Sequence, residues 1–452
     1  MILGCLCLLL LCWVVACNSG TSTVDAGDGG VIPDGDGGDN PGADRATDGG
    51  GDEGRDGDGS GGDDGGAGED GQDDGFDQGD APGDGDGSPP ADESPTQWQP
   101  DVWGPYEVGV RKMQLYDGDR HKLVDTLVWY PAVNHGAGDS KIRYLLILEG
   151  NAYEDLDVQA ADAPYPLVLF SHGNKGVNFQ SYSFTSFLAS HGFFVASCNH
   201  RGNTMFDNPD DAEMAAIALE RPYDIAFVYR KMQEFNQDPE HPFYQKMSLE
   251  EVGMAGHSFG GYTALMVAGG TVDVDAAAAR CQAGTTSDVF CPYIGYWPAG
   301  EVISRPAGLE AMTCTLAMAP GGYGAFGDEG LAGITMPVMI MAGIIDEWMP
   351  LDAEPRPIYA ALTGTAYKLE IERAGHMNFT DICRIPLNQL IPDLAEMCDP
   401  NVYLDADRSF EIINPFAAAF FRRHLKGETG MDAYLSTDFA ATFPEAAFES
   451  KP

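Results

Sequence analysis

The chain has 452 residues, with 70 Asp and Glu against 25 Lys and Arg, a net charge of −45 and ten cysteines. Residues 1–100 hold 23 of those acids, two of the bases and 26 of the 57 glycines, leaving 47 acids against 23 bases, all nine histidines and nearly all the aromatic residues to the rest. That balance, without a cluster of Lys and Arg, excludes a nucleic-acid partner, because phosphate-backbone binding draws on counterions released at basic clusters.

The first predicted element is the apolar run at residues 2–16, ILGCLCLLLLCWVVA. It is too short to span a bilayer of ~30 Å at ~1.5 Å per residue, but it suits the core of a secretory signal. Its end, Val14-Val15-Ala16-Cys17, resembles the lipobox of a bacterial lipoprotein, although no Lys or Arg precedes the run. The resemblance implies a signal over residues 1–17, cleavage before Cys17, a lipid anchor on that cysteine and, with Asn18 next, an exported protein at the outer membrane or cell surface. An ordinary cleaved signal or a short membrane helix is the alternative. Residues 18–97, with stretches such as GGDDGGAGEDGQDDG, cannot bury enough apolar surface to offset their ordering entropy, and read as a disordered, self-repelling Asp/Gly-rich linker. Asp-Gly alternation fits calcium loops in part, but the twelfth-position Glu and flanking helices of an EF-hand are missing.

The remainder, 98–452, suits one large domain rather than two. Expected strands are 106–115, 122–131, 143–150, 166–172, 193–200, 251–258, 314–320, 337–346 and 367–376. The first few alternate as antiparallel edge strands do; the later ones are continuous apolar runs, as parallel strands covered on both faces require. Expected helices are 181–190, 222–235 with Pro222 as first residue, 260–269, 358–362 and 415–425. An antiparallel lead-in followed by a β-α-β series predicts an α/β three-layer sandwich with a mostly parallel sheet. Residues 271–312 are long enough for an insertion over one end of that sheet. Of six later cysteines, Cys281 with Cys291 and Cys383 with Cys398 are close in loops and expected to pair in an exported chain, while Cys198 and Cys314 fall in apolar strands as buried thiols. Neither Cys-x-x-Cys nor His-Glu-x-x-His occurs, so no metal and no cofactor are expected.

Gly256-His257-Ser258-Phe259-Gly260 stands between an apolar strand and a helical stretch, which is the context that a G-x-S-x-G nucleophile elbow needs. Acid and histidine are expected later, in that order. Asp346 ends one predicted strand and His376 the next, where groups past the carboxyl ends of parallel strands converge. Ser258 is then the nucleophile, His376 the base that takes its proton, and Asp346 the carboxylate that holds the imidazole tautomer. Glu347 and Asp352 are rival acids. The amide of Phe259 would be one oxyanion donor, and that of Asn174, or else Gly173, after the strand PLVLFSH, the second. His172, His191, His200 and His257 are expected in structural roles or as supports behind the catalytic residues.

The run SHGNKGVNFQSYSFTSFLASHGFFVASCNHRG (171–202), the elbow GHSFGG (256–261), ERPYDI (220–225), AGHMNFTDIC (374–383) and the opening VGVRKMQLYDGDRHKLVDTLVWYPA (108–132) resemble the plasma-type platelet-activating factor acetylhydrolase family and neighbouring bacterial predicted dienelactone hydrolases. The resemblance covers about residues 104–430. It implies an α/β-hydrolase fold and a calcium-independent esterase acting on short or oxidised acyl chains of phospholipid-like or polyester substrates. Dienelactone hydrolases proper carry cysteine as nucleophile, so Ser258 disfavours dienelactone itself. A hydrolase-fold lipoprotein that only binds, and a peptidase of the same fold, are the alternatives. Phe259, Trp348, Met349, Met377 and Phe379 adjoin the expected catalytic residues, and Tyr293, Tyr296 and Trp297 lie in the insertion. They are expected to crowd the nucleophile and leave room for a small acyl group.

Overall fold

The computed structural model describes residues 99–284, 289–386 and 391–452. The expected signal with Cys17 and the linker at 18–97 lie outside them.

Strands β1 (Glu107–Asp117) and β2 (Lys122–Ala132) form an antiparallel hairpin. The segment 143–150, expected as one strand, is two: β3 (Lys141–Tyr144) and β4 (Leu148–Glu154) turn back on each other at Leu145 and Leu146, both at positive φ (49° and 67°). An apolar run without Gly or Asn carries no turn signal. What divides it is burial, since Ile142, Tyr144, Leu148 and Ala152 all reach the interior from the two arms.

The parallel series follows with β5 (Tyr165–Ser171), helix α1 (Tyr182–Ser190), β6 (Phe194–Cys198), α2 (Asp211–Gln237), β7 (Met247–His257) and α3 (Phe259–Val267). A separate two-stranded sheet pairs β8 (Val272–Asp273) with β9 (Val302–Ile303). The main series resumes with β10 (Met312–Met318), β11 (Val338–Gly343) and β12 (Ala366–Ile371), then α4 (Ala406–Leu425) and the edge strand β13 (Ala446–Lys451), which sequence reading missed. The eleven-stranded main sheet has the order β13-β12-β11-β10-β7-β5-β6-β2-β1-β4-β3. From β6 to β12 all neighbours are parallel. The direction of winding reverses between β5 and β7, and in an open α/β sheet the loops at that reversal frame the ligand crevice.

Strand β5 shows why the parallel strands read as continuous apolar runs. Val168 and Phe170 pack with Phe184 and Leu188 of α1 and Phe416 and Phe420 of α4 on one face. Leu167 and Leu169 pack with Ile225 and Val228 of α2 and Ala264 and Val267 of α3 on the other. Each such side chain removed from water contributes ~1.5–3 kcal/mol, so both faces must be apolar.

Two helices begin earlier than expected, and for one reason. A proline suits a helix start, but α2 carries Pro222 and α4 carries Pro415 inside the helix. The true starts are set by side-chain caps. Asp210 accepts from the Glu213 amide at 2.9 Å while the Glu213 carboxylate accepts from the Asp210 amide, and Asp405 accepts from the Arg408 amide. An internal proline costs about 3 kcal/mol. Buried residues on both sides of each proline, such as Ile217 and Ile225 in α2 and Ile413 and Phe416 in α4, offset it.

Disulfides join Cys281 to Cys291 and Cys383 to Cys398, and Cys198 and Cys314 are buried thiols. The aromatic residues of the insertion differ in burial, and Phe290 packs edge-on against Phe259, next to Ser258. Trp297 is buried against Phe290 and donates its Nε1–H to the Ala215 carbonyl at 2.9 Å, Tyr293 packs on the same cluster, and Tyr296 faces solvent. A large ring gains more by filling the space beneath α2 than by lying over an open cleft.

Candidate active site

Ser171 of β5 lies beside Gly256 of β7, and Met318 of β10 lies beside His257, so three strands deliver their following loops to one edge. The Ser258 amide donates to the Met318 carbonyl at 2.8 Å, which completes β7 and throws the chain into a sharp turn. Ser258 itself sits at φ 57°, ψ −118°, a left-handed conformation that a serine adopts only when its surroundings impose it. Two glycines make the turn possible. A Cβ on Gly256 would run into the Gly260 carbonyl, and one on Gly260 into the Ser171 carbonyl, so α3 lies against β7 and the end of β5 at backbone contact.

Asp346 and His376 lie three and five residues beyond the ends of β11 and β12, not at the strand ends as expected. The loops bring them together: His376 Nδ1 is 2.8 Å from Asp346 Oδ2, and both residues are buried. The other carboxylate oxygen accepts the amides of Trp348 (2.9 Å) and Met349 (2.8 Å). Three hydrogen bonds thus aim Asp346, and since a carboxylate only accepts, Nδ1 of His376 carries the proton. The rival acids are elsewhere. Glu347 is exposed, and Asp352 pairs on the surface with Arg356.

The turn that carries His376 is held by Asn378, a residue sequence reading passed over. Its Oδ1 accepts the Gly375 amide at 2.8 Å, and its Nδ2 donates to the Leu404 carbonyl and Ser409 Oγ. A second brace crosses the crevice. His257 Nε2–H donates to the His376 carbonyl at 3.0 Å, which fixes Nδ1 as the acceptor of the Gln180 amide at 2.9 Å, while Gln180 Oε1 accepts the Gly173 amide at 3.0 Å. The rings of His257 and His376 are 4.7 Å apart. Burial first, and then the neighbouring His376, hold the His257 imidazole well below its usual range, so it stays neutral. No local motif marks Gln180; its role exists only because β5 and β7 are neighbours.

Gly173 lies against Ser258, its position for a Cβ being 3.3 Å from that of the serine. Its amide is already engaged by Gln180. The amides of Asn174 and Phe259 have no acceptor among the described residues. The other histidines make structural contacts: His191 Nε2 lies 2.9 Å from the Val102 carbonyl, His172 Nδ1 lies 2.7 Å from the Gly173 carbonyl, and His200 is buried between Ser171 and Asp224.

Of the residues expected to crowd the nucleophile, Phe379 is core, Phe259 and Met349 are buried, and the Trp348 ring lies 5.0 Å from that of His376. Met377 lines a cleft with Leu145, Leu148, Val177, Met205 and Ile385. The walls of this cleft come from the β3–β4 turn and the loops after β5, β6 and β12. Among the described residues no group of three or more His, Cys, Asp or Glu could hold a metal ion.

The family model described as platelet-activating factor acetylhydrolase, isoform II, matches residues 143–209. The matched stretch runs from the β3–β4 turn through β5, α1 and β6 to the loop before α2, and so contains Asn174 but stops short of Ser258, Asp346 and His376. The fold is that of an α/β hydrolase. The match supports a hydrolase that acts on esters. No curated protein matches the chain significantly.

Proposed function

We propose that this protein is a serine carboxylic-ester hydrolase. The observation that carries the reading is the buried Asp346–His376 pair at the same sheet edge as a serine held at positive φ between a strand and a helix. In this mechanism the Ser258 hydroxyl attacks the ester carbonyl while His376 Nε2 takes its proton. The carbonyl oxygen becomes an oxyanion in front of the Phe259 and Asn174 amides. The C–O bond to the alcohol then breaks as His376 returns the proton to the leaving oxygen, and water repeats the sequence on the acyl enzyme. Asp346 keeps the Nδ1–H of His376 oriented and stabilises the imidazolium. The acyl group lies in the cleft bounded by Leu145, Met205 and Met377, which suits a short or oxidised chain of a phospholipid-like or polyester substrate. Ser258→Ala is expected to abolish cleavage of p-nitrophenyl acetate and butyrate and to prevent labelling by a fluorophosphonate. Turnover near wild type in that variant would exclude the mechanism, and labelling without any ester or peptide turnover would favour a protein that only binds.

We further propose that residues 1–17 are a lipoprotein signal, that a lipid on Cys17 holds the protein at a membrane, and that residues 18–97 tether the hydrolase domain, 98–452, to it. The apolar run and the lipobox-like Val-Val-Ala-Cys support this. Two covalently attached acyl chains anchor a protein stably where one does not. Cys17→Ser should release the activity from membranes into the soluble fraction; retention there would point to an uncleaved helix.

A further inference from the structure

Arg221 has no exposed surface, yet none of its hydrogen-bond acceptors is a carboxylate. Nε donates to Thr263 Oγ1 at 3.2 Å, Nη1 to Asn203 Oδ1 at 2.6 Å, and Nη2 to Ser171 Oγ at 3.2 Å and to the His172 carbonyl. The guanidinium carbon sits over the Phe259 ring, 4.4 Å from its centre. Four neutral acceptors and an aromatic face satisfy the donors without cancelling the charge. Burial lowers the guanidinium only to about 9, so it stays cationic at neutral pH.

The carboxylate of Asp224 acts from one step further out. His200 Nδ1 is 2.9 Å from Asp224 Oδ2, and His200 Nε2 is 2.9 Å from Ser171 Oγ. Because Asp224 accepts, Nδ1 carries the proton, Nε2 accepts a hydrogen bond from the Ser171 hydroxyl, and the oxygen of Ser171 is left to receive Arg221. This buried Asp–His–Ser line has the connectivity of a hydrolytic triad, but it ends on a guanidinium instead of a substrate. Arg120 at 2.6 Å and Lys122 at 2.8 Å engage the charge of Asp224 on its other side, and Asp224 acts on Arg221 through space rather than by a direct ion pair.

Apart from Asn203, on the loop after β6, the groups that Arg221 touches belong to the two segments that flank Ser258. The His172 carbonyl precedes Gly173 and Asn174; Phe259 and Thr263 are on α3; and Asn203 passes the constraint on, its Nδ2 donating to Asn174 Oδ1 at 2.7 Å. A buried charge without a direct ionic partner is costly and persists where the surrounding structure uses it.

We propose that Arg221 is a positioning residue for the oxyanion site: seated by the Asp224–His200–Ser171 line, it clamps the His172–Asn174 loop to α3 and sets a positive charge behind the Phe259 and Asn174 amides. The proposal rests on the serine-hydrolase reading. It predicts that loss of Arg221 weakens the anionic tetrahedral intermediate and leaves substrate binding nearly unchanged.

The test measures kcat per serine titrated by fluorophosphonate, KM, and the affinity of an alkyl trifluoromethyl ketone, which forms the same oxyanion on the serine. Arg221→Met should lower kcat about 100-fold, as loss of an oxyanion donor does, with KM within about threefold and ketone affinity reduced by the same factor as kcat/KM. Arg221→Lys keeps the charge without the fork and should recover part of the loss. Arg221→Met leaves several buried acceptors unpaired, so Asn203→Ala, which removes one acceptor of Arg221 together with the link to Asn174 and leaves the guanidinium in place, keeps the proposal falsifiable if the first variant fails to fold. It should cost about tenfold in both kcat and ketone affinity. Values within twofold of wild type for Asn203→Ala and Arg221→Lys, or losses confined to KM, would overturn the proposal and leave the hydrolase reading intact. A wild-type protein that neither turns over esters nor takes the fluorophosphonate label would overturn both.

Discussion

At the scale of single residues, the site depends on which carboxylate meets His376. Asp346 divides its two oxygens between the imidazole and two backbone amides, so replacing it with asparagine leaves the shape but removes the charge that stabilises an imidazolium and permits the wrong tautomer. Asp346→Asn is expected to lower kcat by about 10⁴-fold. Asp352→Asn removes a surface ion pair worth at most about 1 kcal/mol and should leave kcat within twofold, as should Glu347→Gln. Steady-state kinetics on p-nitrophenyl butyrate distinguishes them, and a larger loss for Asp352→Asn would reverse the assignment. Before the structure, these three acids could not be separated on physical grounds beyond their distance from the strand. They lie within seven residues on one loop, and the path of that loop relative to the turn at His376 is set by the pairing of β11 with β12.

At the scale of elements, the elbow is a contact between three backbones. Gly260 admits the Ser171 carbonyl where any side chain would collide, so Gly260→Ala must push α3 away from β5 and separate Phe259 from Asn174. The expected outcome is a loss of more than about 2 kcal/mol in unfolding free energy together with esterase activity reduced by at least about 100-fold, although Ser258, Asp346 and His376 are unchanged. Denaturant titration alongside kinetics checks both; a stable and fully active variant would mean that the helix does not need this approach. The elbow was readable because a short pattern coincides with a change from apolar run to helix. The β3–β4 turn was not, because Leu145 and Leu146 are residues that a strand would also use. The starts of α2 and α4 were misplaced because proline's preference for a first turn is a local tendency, while the buried face on either side of Pro222 and Pro415 is a tertiary one.

At the scale of the whole molecule, the interior carries imidazoles that are neutral because they are buried. Burial brings His191 and His200 down to about 3 and His424 to about 4, and also lowers His172 and His257 well below the ordinary value. An unfolded chain protonates these groups near pH 6.5, and the folded one does not until much lower pH. Between those limits the unfolded state binds more protons, so stability is full above about pH 6.5 and is lost as pH falls, by up to about 1.4 kcal/mol per pH unit for each imidazole. Asp381 opposes this, since burial raises its carboxyl to about 6. That group favours the folded state below about pH 4, and its contribution is lost as pH rises to 6. One carboxyl against five imidazoles leaves the imidazoles in control. Urea midpoints should therefore drop steeply from pH 7 to pH 4, and a flat profile would contradict the burial of these histidines. The order of apolar runs, helices and the Gly-x-Ser-x-Gly turn was enough to establish the α/β class, because two-sided burial and a strand-to-helix turn leave local marks in composition. The near-neighbour cysteines at 281 and 291 and at 383 and 398 were legible for the same reason, a short loop being easy to close. Only the tertiary structure decided that Asp346 faces His376, that Gln180 occupies the Gly173 amide, that Trp297 lies in the core, and that Arg221 is buried behind Phe259. Each of those depends on which strands are neighbours, and strand adjacency follows from how the whole chain buries its apolar faces rather than from any segment alone.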